Sequence, residues 1–223
     1  MDDQLNTLNW AKLQAEYYKQ DKAFQELMMY NRCAIREVET KLQVLDEEFS
    51  ISTDRNPIQT IKSRVKKPLS IVEKLELRGF DVTLENMEKE LTDIAGVRVI
   101  CSFVEDIYTL SDMLIKQDDI EVIMVKDYIK NPKENGYRSL HLILSIPIYL
   151  SNVKKRMPVE VQFRTIAMDF WASLEHQIKY KKKIENPEEI AKELKLCADV
   201  ICEVDKHMQE IRNMIEEVEQ ETE

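Results

Sequence analysis

Glycine is scarce in this chain: Gly79, Gly96 and Gly136 are the only three in 223 residues. They stand too far apart for a G-x-G-x-x-G dinucleotide loop or a G-x-x-x-x-G-K-S/T phosphate loop, so any nucleotide phosphates must be held by side chains. The Gly-Ser and D-x-D metal signature of polymerase-beta-type nucleotidyltransferases is missing too. The four cysteines, Cys33, Cys101, Cys197 and Cys202, form no C-x-x-C pair and sit among apolar residues. That argues for reduced core thiols rather than disulfides or structural zinc. No uncharged run reaches the ~18 residues of a membrane helix, so no membrane association is expected. The opening MDDQLNTLNW has no basic segment followed by an apolar one, so no secretory signal is expected and the cytoplasm is the expected location.

What is present suffices for a sizeable core. With 43% hydrophobic and 33% charged residues, the chain can form one substantial domain with attached helices, or two small domains, but not a multi-module enzyme. The net charge of -10 is uneven. Residues 184–223 hold 4 Lys and Arg against 13 Asp and Glu, residues 1–55 hold 7 against 11, and residues 56–183 hold 21 against 18. A basic middle between acidic ends points to an anionic ligand there and argues against wrapping duplex DNA.

Periodicity orders the elements. Met28, Asn31, Ile35, Val38, Leu42, Leu45 and Phe49 recur at three- and four-residue steps, the stripe of an amphipathic helix. Ile190, Leu194, Cys197, Ile201, Val204, Met208, Ile211, Ile215 and Val218 repeat the pattern without a break, in a helix that Asn186-Pro187 opens. Between them lie four β-rich runs, Val97–Phe103, Ile120–Lys126, Leu140–Ile146 and Val159–Phe163. Helical stretches at Pro68–Leu77, Glu85–Leu91, Ile107–Lys116 and Ile166–Tyr180 accompany them. The reading is an α+β fold with three parts: an N-terminal helical segment (1–55), a mixed-sheet core (56–183) and a C-terminal amphipathic helix (184–223).

Four constellations in the core could carry chemistry. Lys62, Arg64, Lys66, Lys67, Ser70 and Lys74 form a basic loop running into a helix opened by Pro68, suited to phosphates. A solvated basic loop is the competing reading. Asp93 precedes a strand whose Arg98 faces away from Val97, Val99 and Cys101; the pair suits Mg²⁺ with a triphosphate, or a plain ion pair. Lys126, Lys130, Lys133, Tyr137, Arg138, Ser139 and His141 form a basic loop whose tyrosine could stack a base, while His141 reads equally well as structural. Glu160, Gln162 and Arg164 share one strand face opposite Val159, Val161 and Phe163. A carboxylate in mid-strand among core residues is the strongest single sign of a site.

Taken in order, SRVKKPLSIVEK, DIAGVRVICSF, NGYRSLH and VEVQFRTIAMDFWASLEHQIKYK resemble the synthetase domain of the RelA/SpoT family over about residues 56–183. AMDFWASLEH and the short chain are similar to the small alarmone synthetases, most closely the RelQ type. The resemblance implies a nucleotidyltransferase-like mixed sheet. It also implies synthesis of pppGpp and ppGpp by Mg²⁺-dependent transfer of pyrophosphate from ATP to the 3′-hydroxyl of GTP or GDP, with release of AMP. By the same resemblance Arg64 and Arg98 sandwich the adenine, Lys66, Ser70 and Lys74 contact the ATP phosphates, and Asp93 and Glu160 hold Mg²⁺. Tyr137 stacks on the guanine, His141 contacts the acceptor, Lys126 and Lys133 take its 5′-phosphates, and Gln162 positions the substrates. Glu160 and His141 compete for the role of general base. The long family members add a hydrolase built around a His-Asp metal site; this chain has no His-Asp dipeptide, so synthesis without degradation is expected.

The runner-up is a catalytically inactive regulatory oligomer binding alarmone or single-stranded RNA through Lys154, Lys155 and Arg156 and through Lys179 with Lys181–Lys183. Asp93 and Glu160 argue against it, because a pure polyphosphate binder gains nothing from two carboxylates that hold no metal. The stripe from Ile190 to Val218 needs a partner, either the Met28–Phe49 stripe or another subunit. The resemblance implies a homotetramer.

Overall fold

The computed structural model describes residues 2–53, 55–180 and 186–222. A five-stranded mixed sheet is built from β1 (Ile58–Val65), β2 (Ala95–Cys101), β3 (Glu121–Asp127), β4 (Leu140–Tyr149) and β5 (Lys154–Thr165), in the order β1-β2-β5-β4-β3. Only β2 and β5 run parallel; every other neighbouring pair is antiparallel. The helices are α1 (Asp2–Gln20), α2 (Lys22–Thr53), α3 (Pro68–Leu77), α4 (Leu84–Glu90), α5 (Val104–Ile115), α6 (Ile166–Tyr180) and α7 (Pro187–Thr222). Among the described residues no helix is long and apolar enough to cross a membrane.

Strand alternation divides the sheet into an apolar and a polar face. Val97, Val99 and Cys101 of β2, Val159, Val161 and Phe163 of β5, and Leu140, Leu142, Leu144, Ile146 and Ile148 of β4 point into one core. The α2 stripe covers them: Phe24, Leu27, Met28, Ile35, Val38, Leu42 and Leu45 belong to the same cluster, each side chain contributing roughly 1.5–3 kcal/mol by leaving water. Asn31, the polar member of that stripe, is fully buried and donates from Nδ2 to the Leu27 carbonyl at 2.8 Å. This corrects one expectation, since the Met28–Phe49 stripe is consumed by the sheet and is no partner for α7.

Local signals start the helices that frame the site. Pro68 occupies the first turn of α3, where its missing N–H costs nothing. Thr83 caps α4 by accepting the Asn86 N–H, and Thr165 caps α6 by accepting the Met168 N–H at 3.1 Å. One strand is absent from the sequence reading: Ile58–Val65, expected as part of a basic loop, is β1. As an edge strand with a register irregularity between Ile58 and Thr60, it is half-buried only at residues 58, 61 and 65, so it lacks the two-residue period.

Candidate active site

The strand registers draw separate stretches of sequence into one polar row. Lys62 of β1 pairs with Arg98 of β2, Arg98 with Gln162 of β5, Gln162 with His141 of β4, and His141 with Lys126 of β3. The adjacent row sets Arg64 opposite Gly96 and Gly96 opposite Glu160. A cavity of about 230 Å³ opens over these rows, lined by Lys62, Arg64, Asp93, Arg98, Glu160 and Gln162 among others. The two carboxylates, 67 positions apart in sequence, therefore face one space.

Each carboxylate is held ionised. Asp93 Oδ2 accepts from Lys66 Nζ at 2.5 Å and from Lys74 Nζ at 2.6 Å, so its local partners are these lysines and not Arg98. Burial pushes the Asp93 carboxyl up, but the two ammonium groups outweigh it and the net shift is downward. Burial likewise raises Glu160, and hydrogen bonds from His141 and Gln162 outweigh it to leave Glu160 below its ordinary value. Gln162 Nε2 donates to Glu160 Oε2 at 2.8 Å, and His141 Nδ1 lies 3.4 Å from Glu160 Oε1. Ser70 sits half-buried in the first turn of α3, at the helix end that favours anions.

Tyr137, His141 and Tyr128 form an aromatic group at the other side of the row, with ring centroids 5.3–6.0 Å apart. The members are linked in sequence: Arg164 Nη2 gives to the Tyr137 hydroxyl at 2.7 Å, that hydroxyl pairs with His141 Nε2 at 2.8 Å, and the opposite ring nitrogen of His141 faces the Glu160 carboxylate. Lys133 Nζ stands over both the Tyr128 and Tyr137 rings, at 4.7 and 4.9 Å, and Arg164 stands 5.2 Å from the Tyr137 centroid. Lys126 lies exposed on the edge strand, in register with His141.

Asp169, which belongs to none of the four constellations, ties the two sides together. Its Oδ1 accepts from Arg164 Nη1 at 3.0 Å and from Arg98 Nη1 at 3.2 Å, and its Oδ2 accepts from Lys62 Nζ at 3.3 Å. Burial raises its carboxyl, and Arg98 and Arg164 more than reverse this, leaving it below the ordinary 3.8. A depressed carboxylate contributes stability that is fully present above its unfolded value and is lost as pH falls through the lower folded value. Asp169→Asn is therefore expected to destabilise the protein by roughly 3 kcal/mol near neutral pH, because buried Arg164 loses its counter-charge. The gap between the two proteins in denaturant titrations should narrow as the pH falls below 3.8 and through the lower folded value. A gap that stays constant with pH would contradict the ion-pair account.

Five buried side-chain polar atoms lack a hydrogen-bond partner among the described residues, and three of them, Asp93 Oδ1, Arg98 Nε and Arg164 Nε, belong to this site. Orphaned polar atoms concentrated in one cleft mark where a polar ligand completes the structure. The alternative basic surface is less free. Lys155 pairs with Glu88, Arg156 bonds Ser145 and the Asp119 carbonyl, and Lys154 stacks on Tyr149. Lys181–Lys183 lie outside the described residues.

Comparison with known proteins matches residues 63–185 to the region found in RelA / SpoT proteins. The chain is 44% identical over 191 residues to the GTP pyrophosphokinase YwaC of Bacillus subtilis, covering 86% of this chain and 90% of that one. The crystal structure of small alarmone synthetase 2 from Bacillus subtilis superposes with a TM-score of 0.75 at 42% identity, over 84% of this chain and 97% of that one. That of small alarmone synthetase 1 from the same organism, bound to its product pppGpp, gives a TM-score of 0.78 at 35% identity, over 88% of this chain and all of the other.

Proposed function

The chain belongs to the RelA/SpoT family, and from that premise we propose how its site makes pppGpp and ppGpp, by passing pyrophosphate from ATP to the 3′-hydroxyl of GTP or GDP and releasing AMP. The polar row supports the division of labour. Lys62, Arg64 and Arg98 form a cationic side, Tyr137 and His141 an aromatic side, and the carboxylates of Asp93 and Glu160 open to the same cleft. Arg64 and Arg98 flank the adenine. Lys66, Lys74 and Ser70 hold the ATP phosphates, a role supported by the two lysines converging on Asp93 at the cleft. Tyr137 stacks on the guanine, and Lys133 and Lys126 meet the acceptor's 5′-phosphates.

Asp93 and Glu160 fit Mg²⁺. Asp93 Oδ1 is buried without a partner, and the donors are all oxygen. The described residues hold no group of three or more His, Cys, Asp and Glu that could hold a metal, which suits an ion shared with substrate phosphates and water. When bound, it offsets charge on the transferred phosphates. Alignment supplies much of the rest, since in-line phosphoryl transfer depends on positioning and charge neutralisation more than on covalent help. His141 is a positioning residue, with one nitrogen committed to Glu160 and the other to Tyr137. Glu160 is thus assigned the proton of the attacking hydroxyl ahead of His141, alongside its role as metal ligand. Incubation with ATP, Mg²⁺ and GTP, GDP or GMP in turn, with separation of products, tests the reading. AMP and a guanine nucleotide bearing two added phosphates are expected; ATP consumption without an acceptor product overturns it.

We further propose that α7 joins subunits of a homo-oligomer, the tetramer being the assembly implied by the resemblance. Its stripe divides: Leu194 and Ile201 pack beside Trp171, whereas Val204, Met208, Ile211, Ile215 and Val218 are 49–62% exposed. Ile166, Phe170, Leu174 and Ile178 form a second exposed row on neighbouring α6. Ile211→Asp with Ile215→Asp should shift light-scattering mass to smaller species by placing charge in the seam. Ile201 is unsuited to that test, since it packs within its own subunit. An unchanged oligomer would sink the assignment, as would a wild-type monomer.

A further inference from the structure

The loop that carries Tyr137 is fastened from outside. Residues 128–139 connect β3 to β4, a length that is uncommon without secondary structure of its own. Its inner turn is held by Gly136 N–H to the Lys133 carbonyl at 2.8 Å and by Tyr137 N–H to Asn135 Oδ1 at 3.2 Å. Further anchorage comes from the two last helices. Asn135 Nδ2 donates to Glu175 of α6 at 3.1 Å. Arg138 turns away from the cleft: Nη1 donates to the Ala198 carbonyl of α7 at 3.1 Å and to the Gly136 carbonyl at 3.2 Å, and Nη2 reaches Asp199 Oδ1 at 3.3 Å. Lys195 holds the other oxygen of Asp199 at 2.7 Å.

Contact between the loop and α7 is also direct. Gly136 has φ +85°, and a Cβ added there would stand 2.5 Å from the Ala198 Cβ, so the loop backbone lies against α7 itself. The Tyr137 ring packs in a cluster with Trp171, Ala172, Leu194, Ala198 and Ile201, and Trp171 Nε1 bonds the Leu194 carbonyl at 2.8 Å. On the far side, Ser139 Oγ is tied to the Phe163 carbonyl of β5. Tyr137 is therefore clamped between the sheet and α7.

We infer that α7 forms a wall of the acceptor site, and that Arg138 is a positioning residue that sets the Tyr137 ring for the guanine nucleotide by bonding Ala198 and Asp199. This rests on the proposed role of Tyr137. It also links assembly to substrate, because the same helix that orients the loop carries the exposed seam, which begins at Val204 less than two turns further on, so subunit contacts that shift α7 shift the ring. Displacements of about 1 Å at a reacting geometry can cost about 10²-fold in rate.

Steady-state kinetics and equilibrium binding of GDP on the full chain test the inference, with Tyr137→Ala as the reference. Arg138→Ala removes bonds made by a charged group and is expected to raise the acceptor KM and the GDP dissociation constant about 10-fold, with the ATP KM changed by less than about 2-fold. Asp199→Asn should move the same way by less. Gly136→Ala should also weaken GDP binding, and adding Ala198→Gly should recover part of the loss by clearing the collision; this pair carries the test if Arg138→Ala does not fold. If Tyr137→Ala leaves GDP binding intact, the role of Tyr137 falls. If Tyr137→Ala weakens it while Arg138→Ala does not, or weakens both nucleotides equally, or Ala198→Gly restores nothing, the inference about α7 falls alone.

Discussion

Glu160→Gln is expected to lower turnover by at least about 10²-fold, the usual loss when one charge-stabilising group is taken from a reacting site, while leaving a folded protein that binds both nucleotides. The fold should survive because Glu160 stands on the polar face of β5, and the core side of that strand is formed by Val159, Val161 and Phe163. The amide keeps the shape of the side chain and an oxygen for Gln162, but loses the charge that burial opposes and that His141 and Gln162 sustain. That charge matters twice in this account, for Mg²⁺ and for the hydroxyl proton, so kcat carries the defect and the KM values do not. A melting temperature near wild type with turnover also near wild type would remove Glu160 from the chemistry.

Asp93→Asn should cost a similar factor in turnover but differ in its effect on ATP. Asp93 at present occupies Lys66 and Lys74, with both ammonium groups on Oδ2 and Oδ1 left unpartnered. Burial is the main influence lowering the Lys74 ammonium, with Asp93 opposing it. Neutralising the carboxylate frees two cations at the place assigned to the ATP phosphates. Metal-free ATP binding is therefore expected to hold or tighten, while Mg²⁺ ceases to stimulate turnover. ATP titrations with and without Mg²⁺ separate the effects. Lost ATP affinity with kcat preserved would mean that Asp93 orients lysines and holds no metal.

Alternation made much of the site legible from sequence. It set Glu160, Gln162 and Arg164 on one face and Arg98 opposite Val97 and Val99, and the structure keeps both arrangements. The sheet order was not legible, because nothing local encodes that β2 pairs in parallel with β5, and that pairing brings Asp93 toward Glu160. Asp169 escaped for a related reason. A lone acid in the first turn of a helix reads as a solvated residue, and its partners Arg98 and Lys62 lie 71 and 107 positions away. β1 escaped because an irregular edge strand has no clean two-residue period. Periodicity marks both terminal stripes as amphipathic but does not say what covers a stripe. The sheet and its neighbouring helices take α2's buried face, whereas α7 packs its first turns beside Trp171, ties Asp205, Gln209 and Arg212 to Thr165, Glu105 and Asp106 of the same chain, and leaves its apolar positions from Val204 onward exposed.

The fate of the individual ATP phosphorus atoms distinguishes pyrophosphoryl transfer from stepwise phosphorylation. With purified protein, Mg²⁺, GDP and ATP labelled at either the α or the β phosphorus, transfer of an intact pyrophosphoryl group sends the β label to the guanine nucleotide. The α label stays in AMP, with one AMP formed per product. Label from the α position appearing in the guanine nucleotide, or ADP in place of AMP, would contradict it.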